Sequence, residues 1–298
     1  MAFQISGERF SATYTLACTS QEMQEKALDI CYEQTVEFPA DLTPAEIREK
    51  IVGQITGIEA VDAHTQRVII SYPVEVAGHE LTQLLNVLFG NTGIKPGVKL
   101  ERFELPGGML AQFRGPRHGR QGLRKILNAP ARPMLCTALK PMGHANPQLA
   151  DLCYQFALGG MDIIKDDHGL ADQSFSPFEE RVQRCVEAVQ NANAKTGYQS
   201  IYMPNISAPH NLMIERAQIA KRLGAGGLLI APGLVGFDAM REIADDDEIA
   251  LPIMSHPALL GSFTAAPQNG ISHFALYGQI TRLAGADATI FPNWGGRF

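Results

Sequence analysis

The sequence predicts an α/β protein with an amino-terminal α+β domain over residues 1–128 and a (β/α) barrel domain over residues 129–298. Two observations support this division. Before residue 128, strand-like and helix-like segments are mixed and end in a glycine-rich break. After residue 130, short continuous apolar runs alternate with amphipathic stretches, and such runs are typical of parallel strands that are buried on both faces.

The amino-terminal region alternates between strand and helix patterns. Its strand candidates are rich in Thr, Tyr and β-branched residues, and its helix candidates show acidic first turns or helical periodicity. The order strand, helix, strand, helix, strand is that of an α+β domain of the ferredoxin-like kind. In chain order, the candidates are the strand 10–19, the helix 20–32, the strand 67–73, the helix 80–88 and the strand 99–105.

The carboxyl-terminal region contains six strand–helix repeats, which favour a TIM-type (β/α) barrel. A doubly wound dinucleotide-binding sheet is disfavoured because no GxGxxG motif follows the first strand. A closed barrel has eight strands, so the sequence predicts a barrel truncated after its sixth strand, with two exposed edges and a tendency to be unstable or to self-associate. The strand candidates are 134–139, 161–167, 200–207, 226–233, 251–257 and 287–293, and the helix candidates are 147–158, 177–196, 211–223, 237–243 and 272–284.

Composition limits the class of function. Hydrophobic residues make up 45% and charged residues 19% of the chain, which is typical of a folded protein. The formal net charge is −6 and no long Lys/Arg run occurs, so we expect neither nucleic acid nor a membrane as a partner. The amino-terminal sequence has no signal-peptide pattern. Five widely spaced cysteines without a CxxC pair indicate reduced thiols and a cytoplasmic protein.

Chemically competent side chains follow several of the predicted strands, as in barrel enzymes. They are Lys140, the segment KDDH at 165–168, Asn205 and His256. Four ionisable residues in a row at a strand end need ionic partners or a metal, because burying isolated charges is costly. Oxygen-rich ligands favour Mg²⁺. The residues alone leave open a second interpretation, a solvated loop with a Lys–Asp salt bridge.

The segment GGMDIIKDD resembles the activation-site motif of the RuBisCO large-chain superfamily. The resemblance implies that CO₂ carbamylates Lys165 and that this carbamate, Asp167 and His168 bind Mg²⁺. In carboxylases the third ligand is Glu, so His168 is a departure that bears on metal affinity and metal choice. By the same resemblance, Lys140 in RPMLCTALKPMG falls on the catalytic lysine, and His256 in MSHP falls on an active-site histidine.

Three further positions depart from the carboxylase pattern. Met142 stands where carboxylases carry a second lysine, Pro257 where they carry a phosphate-binding arginine, and Ile290 where they carry a phosphate-contacting histidine. These losses remove charges that would hold a bisphosphate and polarise a carboxylated intermediate. With the segments FRGPRHG and IFPNWGGRF, the chain is therefore similar to the form IV RuBisCO-like proteins of the non-photosynthetic branch.

This resemblance implies Mg²⁺-dependent enolisation, isomerisation or decarboxylation of a phosphorylated ketose or keto-acid sugar through an enediolate. The models are 5-methylthioribulose-phosphate isomerases and oxo-isoapionate-phosphate decarboxylases. Two other functions stay open, a genuine ribulose-bisphosphate carboxylase and a non-catalytic truncated homologue.

Each candidate site residue has a structural alternative. Lys140 and His256 are candidate catalytic groups, but Lys140 could form an ion pair with Asp166 or Asp167, and His256 could be a satisfied barrel histidine. Asn205 is either a substrate ligand or a strand-end cap, with the cap slightly favoured.

The resemblance also implies a homodimer whose active sites are shared between subunits. Glu33 in CYEQTVEFP and Asn91 in FGNTG match residues that carboxylase dimers contribute to the neighbouring subunit's site. We therefore expect both residues to bind substrate across the dimer interface.

Overall fold

The computed structural model describes residues 4–291, and these divide into two compact units. The first unit contains the residues up to Phe113 together with Leu260–Ile280. The second contains Arg114–Leu259 and the residues from Thr281 onward. The second unit thus begins before residue 128, and the domain boundary predicted at that position stays a prediction.

The first unit is built on one sheet. In chain order its leading elements are β1 (Arg9–Ala17), α1 (Met23–Glu33), α2 (Ala45–Lys50), β2 (Gln54–Asp62), β3 (Thr65–Pro73), a 3₁₀ turn (Val74–Val76), α3 (Leu81–Phe89), a 3₁₀ turn (Asn91–Ile94), β4 (Val98–Glu104) and α4 (Gly107–Leu110). The strands lie in the antiparallel order β4-β1-β3-β2. Helices separate β1 from β2 and β3 from β4, which is the ferredoxin-like order.

The later part of the first unit extends this sheet. A short strand, Gly270–Ile271, pairs in parallel with β4, and a helix, Gly261–Thr264, precedes it. A π-helix, Phe274–Ile280, follows, and a short α-helix, Thr281–Leu283, begins the next part of the second unit. The helix predicted over 272–284 is therefore present, and most of it has π-helical geometry.

Alternating burial places the core of the first unit on one face of its sheet. On β1, Phe10, Tyr14 and Leu16 are almost completely buried, as the two-residue period of a strand requires. β2 was not predicted from the sequence; it lies at the sheet edge and has mostly exposed side chains. An exposed edge strand lacks the apolar alternation on which strand prediction depends.

The second unit has the predicted repeat of strands and helices. Its main elements are α5 (Gly119–Ile126), β5 (Cys136–Ala138), α6 (Asn146–Leu158), β6 (Ile163–Lys165), α7 (Phe178–Thr196), β7 (Ile201–Met203), α8 (His210–Arg222), β8 (Leu228–Ile230), α9 (Pro232–Val235), α10 (Phe237–Asp245), β9 (Ile253–Ser255) and a last short strand (Ala288–Thr289). β5, β6 and β7 form one parallel sheet, and β8, β9 and the last strand form another.

A single parallel bridge between Asn205 and Leu229 joins these two sheets. The six strands of the second unit within the described residues therefore follow one another in chain order, as strands of a (β/α) barrel do. The predicted absence of a seventh and an eighth strand stays a prediction. Trp294 and the rest of the segment 292–298 lie outside the described residues.

An apolar cluster fills the space inside these strands. Four different strands each contribute one side chain to it: Ile163, Met203, Leu229 and Met254. Leu123 and Leu127 of the α5 region pack against these side chains. Since side chains alternate along a strand, Lys165 lies on the same side of β6 as Ile163.

Within the described residues, no helix has the length and apolar character needed to cross a membrane.

Candidate metal and active site

Lys165 is a buried lysine at the carboxyl end of β6, with 7% of its surface exposed. Its Nζ donates a hydrogen bond to the main-chain carbonyl of Asp166 at 3.0 Å. Burial lowers the pKa of Lys165, although nearby acidic groups oppose this shift. A lowered pKa favours the neutral amine, which is the form that reacts with CO₂.

Asp167 follows on the same loop and is almost fully buried. Its carboxylate forms an ion pair with the ammonium of Lys140, accepts the N–H of Gly169 at 3.0 Å and lies 3.3 Å from Nδ1 of His168. Burial alone raises the pKa of Asp167, but the hydrogen bonds from Lys140 and Gly169 outweigh it and the pKa is lowered overall. The contact with Lys140 is one of the two ion pairs that the sequence left open; the catalytic role of Lys140 stays a prediction.

His168 and His256 meet face to face, with ring centroids 4.4 Å apart and ring planes 16° apart. The N–H of Ala258 donates to Nδ1 of His256 at 3.1 Å, so the neutral ring carries its proton on Nε2. Burial, followed by the charges of His168 and Lys165, lowers the pKa of His256 to about 4. His256 is therefore a neutral hydrogen-bond donor near pH 7.

Asp166, which is not a ligand candidate, faces away from Lys165 and is completely buried. Its carboxylate accepts hydrogen bonds from the Tyr202 hydroxyl at 2.6 Å, from Nε of Arg181 at 3.2 Å and from the main-chain N–H of Asn205 at 3.0 Å. Arg181 is also completely buried, so this is an internal ion pair whose polar atoms all need partners.

Arg181 and Tyr202 were not predicted from the sequence. A signal for Arg181 was present, because it lies on the buried face of α7 with Phe178, Val182 and Cys185. A charged residue at an apolar position of an amphipathic helix indicates a buried partner. Nothing in the apolar run of β7 distinguished Tyr202 from an ordinary core residue.

Asn205 uses its whole side chain to hold the loop after β6. Its Nδ2 donates to the carbonyls of His168 at 3.0 Å and Leu170 at 2.9 Å, and its Oδ1 accepts the N–H of Ser207 at 3.1 Å. Only 3% of the residue is exposed. The Asn205 side chain therefore holds the loop after β6, and both its role as a strand-end cap and direct contact with substrate stay predictions.

The positions that depart from the carboxylase pattern supply no charge to the site. Met142 is half-exposed, and its methyl group lies close enough to Gly169 that a Cβ there would meet it at 2.4 Å. Ile290 packs against the barrel core, and its N–H donates to the carbonyl of Ser255 at 3.0 Å. Apolar side chains thus stand at two of these positions, and proline stands at the third, residue 257.

Glu33 and Asn91 lie together in the first unit. Nδ2 of Asn91 donates to Oε1 of Glu33 at 3.1 Å, and Nζ of Lys95 lies 3.3 Å from Oε2 of Glu33 while also pairing with Asp29. Glu33 lines a surface cavity of about 560 Å³. The structure brings the two residues together, and their contribution to a neighbouring subunit's site stays a prediction.

The donor atoms around Asp167 decide whether a metal fits. Within residues 4–291, no group of three or more His, Cys, Asp or Glu side chains is arranged to hold a metal ion. Asp167 and His168 supply two donors side by side, and Lys165 supplies a third only as a carbamate. With that modification the set has two anionic oxygen ligands and an imidazole, which fits a divalent cation that keeps positions for substrate oxygens.

The chain is similar in sequence and in fold to known proteins of one family. The family model for the ribulose bisphosphate carboxylase large chain, catalytic domain, matches residues 119–293. Ribulose bisphosphate carboxylase-like protein 1 of Rhodopseudomonas palustris is 41% identical over 98% of this chain and 77% of its own length. The 5-methylthioribulose-1-phosphate isomerase of Rhodospirillum rubrum is 37% identical over 98% of this chain and 76% of its own length. A crystal structure of a Rubisco-like protein from Rhodopseudomonas palustris superposes with a TM-score of 0.90 at 39% identity, covering 98% of this chain and 80% of that one.

Proposed function

Because the chain belongs to the RuBisCO large-chain family, we propose that it is a cytoplasmic RuBisCO-like enzyme that enolises a phosphorylated ketose or keto-acid sugar. The enediolate forms when a C–H bond beside the carbonyl breaks, as in enolisation and isomerisation, or when a C–CO₂⁻ bond beside the carbonyl breaks, as in decarboxylation. The observation that most supports this proposal is a cluster of ionisable side chains at the carboxyl ends of barrel strands. The cluster consists of Lys140, Lys165, Asp167, His168 and His256. This is where barrel enzymes carry their catalytic groups.

The first substrate to test is 5-methylthioribulose 1-phosphate, because a relative that is 37% identical carries that isomerase activity in its name. Isomerisation of such a ketose moves a proton from a carbon beside the carbonyl to the carbonyl carbon. The C–H bond breaks, its electrons form the C=C bond of an enediolate, and a proton then bonds to the former carbonyl carbon. The hydroxyl on the neighbouring carbon loses its proton to become the new carbonyl, and the former carbonyl oxygen gains a proton.

The chain's own residues account for metal binding. Asp167, His168 and carbamylated Lys165 would hold Mg²⁺, which when bound supplies a Lewis acid for the substrate carbonyl. The lowered pKa of Lys165 makes its amine available for carbamylation. Lys140 and, to a smaller extent, the N–H of Gly169 bind the carboxylate of Asp167 and lower its pKa, which keeps it ionised.

Two further residues handle protons and hydrogen bonds. Lys140 is half-exposed beside Asp167, so its Nζ can reach both the substrate and the candidate ligand, and we assign proton transfer to it. His256 presents Nε2–H because Nδ1 is occupied by the N–H of Ala258. We assign to His256 a hydrogen bond to a substrate oxygen that gains charge during enolisation.

Carboxylation of ribulose bisphosphate is not the proposed reaction. The positions at which the resemblance places a lysine, an arginine and a histidine carry Met142, Pro257 and Ile290. None of these side chains can pair with a second phosphate or polarise a carboxylated intermediate.

We also propose a homodimer in which Glu33 and Asn91 of one copy complete the site of the other. Their mutual hydrogen bond and the contact of Lys95 with Glu33 hold the carboxylate in one orientation. A fixed carboxylate at an interface is suited to orient a substrate or a lysine from the neighbouring copy.

Exchange of substrate α-protons with D₂O tests the enzyme assignment. With 5-methylthioribulose 1-phosphate, we expect Mg²⁺- and bicarbonate-dependent exchange by NMR, and its loss in Lys165→Ala. Lys221→Ala is the matched control, because Lys221 is an exposed lysine near the end of α8. Absence of exchange with this ketose and with other phosphoketoses would refute the proposal and favour a non-catalytic homologue.

A further inference from the structure

Residues on one side of β6 hold the segment 165–168, and this is the side opposite to the one that Lys165 faces. Ile163 packs in the barrel core, so Lys165 faces the same side of β6 and Asp166 faces the other, where α7 lies. Asp166 uses both carboxylate oxygens there, accepting Tyr202 on one and Arg181 with the Asn205 N–H on the other. These hydrogen bonds fix the orientation of the Asp166 side chain. They therefore also fix the main chain that joins Lys165 to Asp167.

Arg181 connects this carboxylate to the loop that follows the segment. Its guanidinium donates to the carbonyl of Ala171 at 2.7 Å and to the carbonyl of Ser176 at 2.7 Å, in addition to Asp166. The Arg181 side chain is completely buried, where a charged donor without partners would be strongly unfavourable. The loop after β6 is therefore tied to α7 at two points.

Asn205 ties the same loop from the end of β7. Its side chain binds the carbonyls of His168 and Leu170, and its own N–H binds Asp166. Asn205 thus contacts the Asp166 carboxylate on one side of Asp167 and the main-chain carbonyls of His168 and Leu170 on the other. Neither Asn205 nor Arg181 needs to touch a metal in order to determine where these ligands lie.

We propose that Tyr202, Arg181 and Asn205 are positioning residues that set the geometry of the metal ligands Lys165, Asp167 and His168. This inference rests on the metal site of the proposed function. It assigns to Asp166 the role of an anchor and to Asn205 a role in metal binding through the loop.

Tyr202→Phe gives the sharpest test, since it removes one hydroxyl and keeps the ring. Tyr14→Phe is the matched control, because Tyr14 is equally buried, its hydroxyl donates to the Leu88 carbonyl at 2.7 Å, and it belongs to the first unit. The full-length proteins are titrated with Mn²⁺ in bicarbonate, and free Mn²⁺ is followed by electron paramagnetic resonance. Melting temperatures are recorded for both variants.

We expect Tyr202→Phe to weaken Mn²⁺ binding about tenfold, as loss of a residue that orients metal ligands typically does. Tyr14→Phe should leave the affinity unchanged, although both variants lower the melting temperature to a similar extent. Equal affinity of Tyr202→Phe and wild type would overturn the inference and leave the metal site intact. Failure of the wild type to bind Mn²⁺ would instead overturn the proposed metal site, and this inference with it.

Asn205→Ala separates positioning from substrate contact. If Asn205 positions the loop, Mn²⁺ binding weakens in the absence of any substrate. If Asn205 only contacts substrate, Mn²⁺ affinity stays at the wild-type value and KM for the ketose rises, which would overturn its assignment as a positioning residue.

Discussion

The ammonium of Lys140 and the carboxylate of Asp167 form an ion pair between the loop after β5 and the loop after β6. The pair joins the candidate proton-transfer group to a candidate metal ligand. A divalent cation at Asp167 therefore meets a positive charge that is already in contact with the same carboxylate. The charge of Lys140 therefore opposes metal binding, whereas proton transfer requires its amino group.

Lys140→Met should strengthen metal binding and weaken catalysis. The substitution removes a positive charge that repels the metal cation, so we expect Mn²⁺ affinity to rise by up to about tenfold. Loss of the proton-transfer group should lower the rate of substrate proton exchange about 100-fold or more. Paramagnetic resonance titration and NMR exchange measure the two effects.

The matched control for this variant is Lys221→Met, which removes an exposed lysine of α8. It should change neither quantity. If Lys140→Met bound Mn²⁺ more weakly than wild type, Lys140 would be supporting the site rather than competing with the metal.

His256 should make the protein less stable in mild acid. Burial lowers its pKa to about 4 in the folded state, whereas an unfolded histidine has its ordinary value near 6.5. Between these values the unfolded chain binds the additional proton, so stability is fully present above pH 6.5 and is lost as the pH falls towards 4. His256→Gln removes this dependence.

Urea unfolding at pH 4.5 and pH 7.5 measures the effect. Because His256 is only partly buried, we expect the loss of unfolding free energy between these pH values to be smaller in His256→Gln by about 1–2 kcal/mol. His273→Gln, which replaces a histidine of the first unit, provides the comparison. An unchanged pH dependence in His256→Gln would show that the ring is solvated enough to titrate normally.

Arg132 and Asp162 support the opposite end of β6. The guanidinium donates to both carboxylate oxygens of Asp162 at 2.6 Å, and the N–H of Leu135 adds a third bond at 2.8 Å. These partners, Arg132 first, lower the pKa of Asp162, so its contribution is present above the unfolded pKa and is lost as the pH falls through the folded value.

Asp162→Asn should destabilise the fold by about 1–3 kcal/mol, as expected when a buried charged hydrogen-bond partner is replaced. Asp162 precedes β6, whereas the candidate ligands follow it, so proton exchange per folded molecule should stay near the wild-type value. Urea unfolding and the NMR exchange assay, both at pH 7.5, check the two statements. A large loss of exchange in fully folded Asp162→Asn would mean that the two ends of β6 are coupled.

Much of the barrel and of the candidate site could be predicted from sequence. Apolar runs identified all six described strands of the second unit, because buried parallel strands are nearly continuous in hydrophobicity. The carboxyl ends of parallel strands share one edge, so Lys140, Asp167 and His256 could be expected to meet. Lys140 contacts Asp167, and His256 stacks on His168, the residue that follows Asp167.

Contacts that depend on distant partners could not be predicted in this way. Asp287 accepts the N–H groups of His118 and Gly119 at 2.7 and 2.6 Å and that of Ile253 at 2.9 Å. A single acidic residue before a strand gives no indication of which helix start it will cap. The same holds for Tyr202, whose hydroxyl partner is set by how α7 and β7 pack around Asp166.

A shared active site can be tested by combining two inactive variants. Glu33→Gln should lower activity at least about tenfold if this carboxylate acts in a neighbouring copy's site, because it removes a charge that is held by Asn91 and Lys95. Lys165→Ala should abolish metal-dependent activity. When the two variants are co-expressed as heterodimers, one of the two sites contains neither substitution.

Random pairing makes half of the dimers mixed, so we expect about a quarter of the wild-type proton exchange rate to return. The control is a mixture of Lys165→Ala and His256→Ala, which lie in the same unit and should not complement each other. Restored exchange in the first mixture and none in the second would support a site built from two copies. If Glu33→Gln were fully active, or if its mixture with Lys165→Ala only averaged the two parent rates, Glu33 would act within its own chain or have no part in the reaction.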